Sequence, residues 1–150
     1  MNKPREVYTH IRINAPVERV WKMLTDLGSY KQWNPFIVES IGKAQLGEQL
    51  TCRPRVGRKK IATFHPTVTR LIPEKVFAWT GHVLFPGLAD GVHIFELKPQ
   101  GDDHVLLVHR QEFSGILIPF IWKRIEKTAK RGFILMNEAL KQRAEGVLHA

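Results

Sequence analysis

The sequence has a single cysteine, Cys52, among its 150 residues, which excludes an internal disulfide. A chain without disulfides depends on its hydrophobic core, and a chain of this length buries about 70% of the surface that it exposes when unfolded. These features fit one domain, residues 1–150, in a reducing compartment. We interpret Cys52 as a small strand residue rather than a nucleophile.

Long apolar runs are also missing. The run 116–122 is followed at once by Lys123 and Arg124, whereas a membrane-spanning helix needs about 18 to 20 apolar residues. The first ten residues are polar and lack the apolar core of a secretory signal. We therefore expect a cytoplasmic protein.

Acidic residues are few, because 14 Asp and Glu stand against 23 Lys and Arg and leave a formal charge of +9. Such a charge attracts anionic partners. No aromatic stacking platform is interleaved with the basic clusters, which argues against nucleic acid. A transient contact with an anionic membrane surface stays as an alternative to simple solvation of the charges. The two clusters are Arg53, Arg55, Arg58, Lys59 and Lys60, and Lys123, Arg124, Lys127, Lys130 and Arg131.

Several enzyme motifs are absent. The sequence has no Gly-x-Ser-x-Gly nucleophile elbow and no glycine-rich phosphate loop, which excludes classical hydrolase, kinase and dinucleotide chemistry. Two histidines, His93 and His109, lack a third ligand at a diagnostic spacing, so we expect no metal site and no cofactor. The sequence assigns no catalytic residue.

The dominant feature that is present is an amphipathic run at residues 116–145. Its apolar residues recur every three or four positions, which predicts one long helix with an apolar face. Ser114 is placed to cap this helix, and Pro119 fits its first turn. Small residues at Ala129 and Gly132 predict a void beneath the middle of the face. The apolar positions are Leu117, Ile121, Ile125, Ala129, Phe133, Met136 and Leu140.

The rest of the chain predicts a sheet for this helix to cover. Residues 7–14 alternate as a half-buried strand, after which Asn14 is placed to cap a helix that ends at Gly28. A second short helix through Tyr30 and Trp33 stops near Pro35. Short turns then separate six strands of an antiparallel meander. We predict these strands near 36–42, 48–55, 60–71, 75–84, 91–98 and 104–113.

Two hairpins have a predictable register. A tip at Pro73 and Glu74 pairs Val68 with Trp79 and Phe64 with Val83. A tip at 99–103 gives the second set of pairs and places the odd-numbered residues on one face, toward the long helix. Those pairs are Leu97 with Val105, Phe95 with Leu107, and His93 with His109. The even-numbered Glu96, Lys98, Arg110 and Glu112 are then predicted to face solvent.

Four segments, together with the closing helix, resemble the polyketide cyclase/dehydrase-like branch of the START-type, helix-grip (SRPBCC) superfamily. They mark the strand-to-helix entry, the tryptophan turn and the last hairpin in the order that this superfamily shows. Its members include aromatase/cyclases, lipid and quinone carriers, hormone receptors and chaperone co-activators. The segments are INAPVERVW (13–21), YKQWNPF (30–36), HIFELKP (93–99) and EFSG (112–115).

The resemblance implies an α+β fold, in which a seven-stranded antiparallel curved sheet wraps around the long C-terminal helix, with two short helices between strands 1 and 2. It also implies an apolar cavity between sheet and helix. The resemblance places Trp33, Phe36, Phe64, Trp79, His93, Phe95 and His109 on or near the cavity wall, and the apolar face of the helix adds Ile125, Phe133 and Met136.

Three functions remain open from the sequence. The first is binding of a hydrophobic or aromatic small molecule, such as a lipid, polyketide or quinone, in this cavity. The second is a cyclase/dehydratase-type enzyme that uses the same cavity, with His93 and His109 as acid or base. The third is a protein-interaction module with a vestigial cavity. Histidines that point into an open cavity favour the enzyme, whereas histidines buried against other side chains favour binding. The sequence does not reveal the oligomeric state.

Overall fold

The structure, a computed structural model, describes residues 4–146. In this range a first strand, two short helices, a run of strands and a long helix follow one another as predicted, although the run has seven strands rather than six. A short 3-10 turn, Leu27–Ser29, joins the first two helices. The elements are β1 (Arg5–Ile13), α1 (Val17–Thr25), α2 (Tyr30–Trp33), β2 (Ile37–Ile41), β3 (Thr51–Val56), β4 (Lys59–Lys60), β5 (Thr67–Ile72), β6 (Val76–His82), β7 (Asp90–Pro99), β8 (Val105–Ser114) and α3 (Ile118–Ala144).

The strands form two antiparallel sheets that are joined at one edge. Five strands pair in the order β1-β8-β7-β6-β5, and three pair in the order β2-β3-β4. Segment 47–50 connects the two sheets through backbone hydrogen bonds, which include Leu50 N to Pro66 O at 2.7 Å and Val68 N to Glu48 O at 2.9 Å. The result is one curved surface with α3 on its inner side, so the α+β helix-grip fold is confirmed.

One predicted strand, 60–71, is in fact two. The segment breaks into β4 and β5, and the intervening Phe64 forms an isolated bridge with Cys52 instead of pairing with Val83. Pro66 lies in the break, and its missing N–H prevents a continuous ladder. The strand count is therefore eight rather than seven.

The two predicted hairpins differ in how well their registers hold. Val68 does lie opposite Trp79, although a bulge between Val68 and Arg70 is needed to bring them together. In the last hairpin the register is shifted by two residues, so Phe95 pairs with His109, and His93 with Gln111. A shift of two preserves the side to which each side chain points. The odd-numbered face is consequently inward as predicted, and Arg110 on the outer face forms ion pairs with Glu6, Glu96 and Glu112.

Both predicted helix caps are wrong. Helix α1 begins after Pro16, with no side-chain cap, and Asn14 instead donates its backbone N–H to the Glu145 carboxylate at 2.7 Å. Ser114 is the last residue of β8, and α3 begins after Leu117, also with no side-chain cap. Tertiary contacts fix both helix starts in place of the local caps.

Helix α3 lies chiefly across β1 and β8 and also touches β3 and the two short helices. The void predicted beneath Gly132 is absent, because the ring of Phe36 fills that position. A Cβ placed on Gly132 would lie 2.3 Å from Phe36 Cδ1. Gly132 therefore allows close approach of an aromatic ring and leaves no empty space beneath it.

This contact predicts how Gly132→Ala acts on stability. The added methyl group overpacks the core, which costs about 1 to 3 kcal/mol, while alanine returns about 1 kcal/mol of helix propensity. We expect a net loss in the free energy of unfolding, measured by urea titration. In a Phe36→Ala background the ring is gone, so the same substitution is expected to stabilise the protein. A loss of equal size in both backgrounds would contradict the assigned contact.

Candidate functional site

The ten residues that were predicted to line the cavity wall come together beneath α3. Eight of the ten are buried, and Phe64 and Ile125 are half-buried and pack on the same core. The buried residues are Trp33, Phe36, Trp79, His93, Phe95, His109, Phe133 and Met136.

Aromatic rings form the centre of this assembly. His109 stacks on Phe133 of α3 with ring centroids 4.2 Å apart, and His93 stacks on Trp79 at 4.9 Å. Phe95 is on β7, two residues after His93, and its ring centroid lies 4.5 Å from that of His109 on β8. The histidines are therefore enclosed by rings on the sheet and on the helix.

A chain of hydrogen bonds runs through the same rings from β7 to α3. His93 Nε2 lies 2.7 Å from His109 Nε2, and His109 Nδ1 lies 2.7 Å from Asn137 Oδ1. Asn137 donates through Nδ2 to Thr9 Oγ1 at 2.9 Å, and the Thr9 hydroxyl donates to the carbonyl oxygen of His109 at 2.7 Å. At the other end, the Gln111 amide lies 3.1 Å from His93 Nδ1. The chain ties α3 to three strands.

The partners determine which nitrogen of each ring carries the proton. The carbonyl oxygen of Asn137 can only accept, so a neutral His109 is protonated at Nδ1 and accepts at Nε2. His93 then donates from Nε2 and has a lone pair at Nδ1. Because Nδ1 of His93 needs a donor, the side-chain amide of Gln111 must turn its nitrogen toward this ring. This orientation is a 180° flip of the amide from the one that places Oε1 next to Nδ1.

Both imidazoles are neutral at physiological pH. Burial lowers the pKa of His109 to about 3, against a smaller rise from its hydrogen bond to Asn137. Burial also lowers the pKa of His93 well below its usual range, and the neighbouring His109 lowers it further. No acidic side chain among the described residues hydrogen-bonds either ring. These histidines are thus positioned as a fixed polar element of the core.

Sequence reasoning missed three members of this chain, namely Thr9, Gln111 and Asn137. Thr9 and Gln111 have the same inward parity as His109, and Asn137 falls on the apolar helix face, four residues after Phe133. A polar residue on the apolar face of a helix indicates a buried hydrogen bond, since buried polar groups need partners.

Two further donors are buried near the short second helix. Trp33 Nε1 and Asn34 Nδ2 have no hydrogen-bond partner among the described residues. The oxygen of the same Asn34 side chain accepts from the backbone N–H groups of Phe36 and Ile37, both at 2.9 Å. An unpaired buried donor is destabilising by about 1 to 3 kcal/mol, so both donors call for an acceptor.

The inner face of α3 changes in burial along its length. Phe133, Met136 and Leu140 are buried in the core, as is Ile118 in the first turn of the helix. Between them on the same face, Ile121 and Ile125 are half-buried. The helix is therefore packed tightly in its C-terminal half and less tightly around Ile121 and Ile125.

Two surface concavities lie outside the aromatic assembly. One, of about 460 Å³, runs along residues 119–124 beside Arg5, whose guanidinium lies 5.7 Å from the Trp122 ring. The other, of about 310 Å³, lies between Trp21 and Leu71. Neither includes a predicted wall residue.

Cysteine chemistry and metal binding are the remaining candidates among the described residues. Cys52 is buried in β3, which raises the pKa of its thiol to about 11. In residues 4–146, no group of three or more His, Cys, Asp or Glu side chains is placed to hold a metal ion. None of the helices in this range is long and apolar enough to cross a membrane.

A curved antiparallel sheet around a long C-terminal helix, with an aromatic interior, defines a START/polyketide cyclase-type ligand-binding fold. Over residues 4–145 the sequence matches the family described as "Polyketide cyclase / dehydrase and lipid transport". Because the match spans nearly the whole chain, the protein belongs to this family.

Solved structures show the same fold at low sequence identity. The Zhui aromatase/cyclase from a Streptomyces species superposes with a TM-score of 0.80 at 17% identity, covering 98% of this chain and 97% of that one. A START superfamily protein from Mycobacterium smegmatis gives 0.77 at 20% identity, with 95% and 99% covered. A Mesorhizobium loti protein gives 0.75 at 22% identity, with 97% and 100% covered. No curated protein is significantly similar to the chain.

Proposed function

We propose that the protein binds a hydrophobic small molecule beneath the N-terminal half of α3, between the helix and the sheet. The observation that carries the proposal is the unsealed part of the apolar helix face. Ile121 and Ile125 continue the line of Phe133 and Met136 but are left half-buried. A ligand that completes their burial would contribute about 25 cal/mol for each Å² of apolar surface removed from water.

The state of the histidines supports binding over acid–base chemistry. His93 and His109 are 4% and 0% exposed and are enclosed by rings and by amide partners. A general acid or base has to reach the atom that it protonates and works best with a pKa near the operating pH. Both histidines fail these conditions, and their proposed role is to hold the sheet and the helix in register.

A matched pair of substitutions on α3 tests where the ligand binds. Ile125→Gln introduces a polar group on the inner face, and we expect the affinity for the neutral fluorescent probe N-phenylnaphthylamine to fall by about tenfold or more. Ile134→Gln is the control, because Ile134 is on the same helix but is 44% exposed. Equal probe affinities in the two variants would contradict the proposed location.

Native mass spectrometry of the protein purified from its own host tests binding directly. The expected result is a mass excess that corresponds to a small lipophilic molecule and disappears on denaturation. Ile125→Gln should retain less of it than Ile134→Gln. The absence of both a retained molecule and probe fluorescence in the wild-type protein would overturn the proposed function.

A further inference from the structure

An apolar tip projects from the end of the molecule where α3 begins. Six large apolar side chains there are between 37% and 83% exposed, with Leu84 and Phe120 both at 83%. They come from the β6–β7 loop and from the entry to α3, and we call them the apolar tip: Val83, Leu84, Phe85, Ile116, Leu117 and Phe120.

The two parts of the tip are held together by the backbone. Ile116 N donates to Gly87 O, and Leu117 N donates to Leu88 O, both at 3.0 Å. The carboxylate of Asp90, the first residue of β7, accepts from the backbone N–H of Gly87 in the loop. The exposed side chains thus form one ordered surface.

Leu84 is exposed although its backbone conformation is unfavourable for a leucine. Its φ of 65° lies in the left-handed region, which costs a non-glycine residue about 1 to 2 kcal/mol. Asparagine or glycine would be comfortable there, and both would remove the exposed leucine side chain. Folding stability therefore does not account for leucine at this position.

Cations continue from the tip along the outer face of α3. Lys123 and Arg124 lie three and four residues after Phe120, and Lys127 follows one turn later, so all three share its side of the helix. Each of these residues is exposed, and Glu126 is the single acidic residue in residues 116–131. Positively charged side chains therefore lie about one helical turn behind the apolar side chains of the tip.

We propose that the apolar tip docks on an anionic lipid bilayer, inserting Leu84 and Phe120 into the acyl boundary while Lys123, Arg124 and Lys127 contact the headgroups. This order of apolar and cationic groups matches the order of acyl chains and anionic headgroups met on entering a bilayer. A second copy of the chain fits poorly, because a symmetric contact through the tips would bring like-charged clusters together. Protruding apolar side chains can also insert into a lipid bilayer directly, because a bilayer needs no preformed pocket to accept them. The inference does not rest on the proposed ligand site.

Vesicle sedimentation tests the docking surface. We expect the wild-type protein to bind phosphatidylcholine vesicles that contain phosphatidylglycerol, to bind pure phosphatidylcholine vesicles much more weakly, and to lose binding as salt is raised. Replacing Lys123 and Lys127 by Gln should weaken binding by roughly fivefold for each charge removed.

Substitutions at the tip separate insertion from simple charge attraction. Leu84→Asn relieves the left-handed backbone and Phe120→Gln keeps a helix former, so both variants are expected to fold. Each should weaken binding to the anionic vesicles by about tenfold or more. Leu46→Asn is the matched control, because Leu46 is 63% exposed in the β2–β3 loop, and its binding should equal that of the wild type.

Three outcomes would overturn the proposal. One is failure of the wild-type protein to sediment with anionic vesicles. Another is binding that is unchanged by Leu84→Asn and Phe120→Gln, which would reduce the contact to nonspecific attraction by the net charge. The third is a dimer, detected by analytical ultracentrifugation without lipid, that Leu84→Asn dissociates, since the tip would then be a contact between copies.

Discussion

Lowering the pH from 7 to 5 should reduce the free energy of unfolding by about 2 kcal/mol through His109 alone. Its pKa is about 3 in the folded protein, against about 6.5 in the unfolded chain. Below pH 6.5 the unfolded chain binds a proton that the native state rejects, so stability is lost as the pH falls from about 6.5 to about 3. His93 acts in the same direction, because its pKa is also lowered by burial.

Urea titrations at pH 7 and pH 5 measure this loss. His65 and His82 are exposed, so His65→Gln and His82→Gln should retain the full dependence. In the native state, the imidazole resonances of His109 should not titrate near pH 6.5. Stability that stays constant between pH 7 and pH 5, or a dependence that disappears in His65→Gln, would show that the buried pair is not its source.

The sequence was sufficient for the fold because the relevant signals are local. Alternation in β1, turn residues between the later strands and the helical period of α3 each appear within about ten residues, and the family resemblance then gives their order. The errors lie where distant parts of the chain decide the outcome. The break at Pro66 had a local signal, since proline lacks an N–H, but the pairing of Phe64 with Cys52 and of Pro66 with Leu50 joins distant segments. Both helix starts depend on tertiary contacts.

The candidate site was predictable in its membership and not in its details. Parity alone places His93, Phe95 and His109 on the inner face, and parity survives a register shift of two residues. That shift nevertheless changes the cross-strand partner of each residue. The two histidines are diagonal neighbours instead of a direct pair, and a hydrogen bond of 2.7 Å joins their Nε2 atoms. The register of this hairpin is set by its turn, in which Gln100 N donates to His104 O at 2.9 Å.

The expectation of a void failed at Gly132 for a different reason. A small residue on a helix face indicates only that something approaches closely there, and the sequence does not say whether it is a ligand or a side chain. Phe36, almost a hundred residues earlier, supplies the ring. Proteins pack their interiors densely, so a side chain is the more common occupant of such a position. Our proposed binding region is therefore the part of α3 where Ile121 and Ile125 are only half-buried.

Replacing Asn137 by Leu should destabilise the protein by about 2 to 4 kcal/mol, although the two side chains are similar in size. The substitution leaves the Nδ1–H of His109 without an acceptor in a ring-lined site, and an unpaired buried donor costs about 1 to 3 kcal/mol beyond the lost hydrogen bond. Thr9 loses little, because its hydroxyl still donates to the carbonyl oxygen of His109.

The effect of the same substitution should change in a His109→Leu background. His109→Leu alone strands the oxygen of Asn137 and the Nε2–H of His93, and we expect it to cost about 4 kcal/mol. Adding Asn137→Leu then removes one of the two stranded groups, so the double variant should be as stable as His109→Leu or more stable. Urea titrations of the four proteins at pH 7 complete the double-mutant cycle. Simple additivity of the two single losses would mean that the hydrogen-bond chain does not act as a unit, because only a shared bond makes the second substitution harmless after the first.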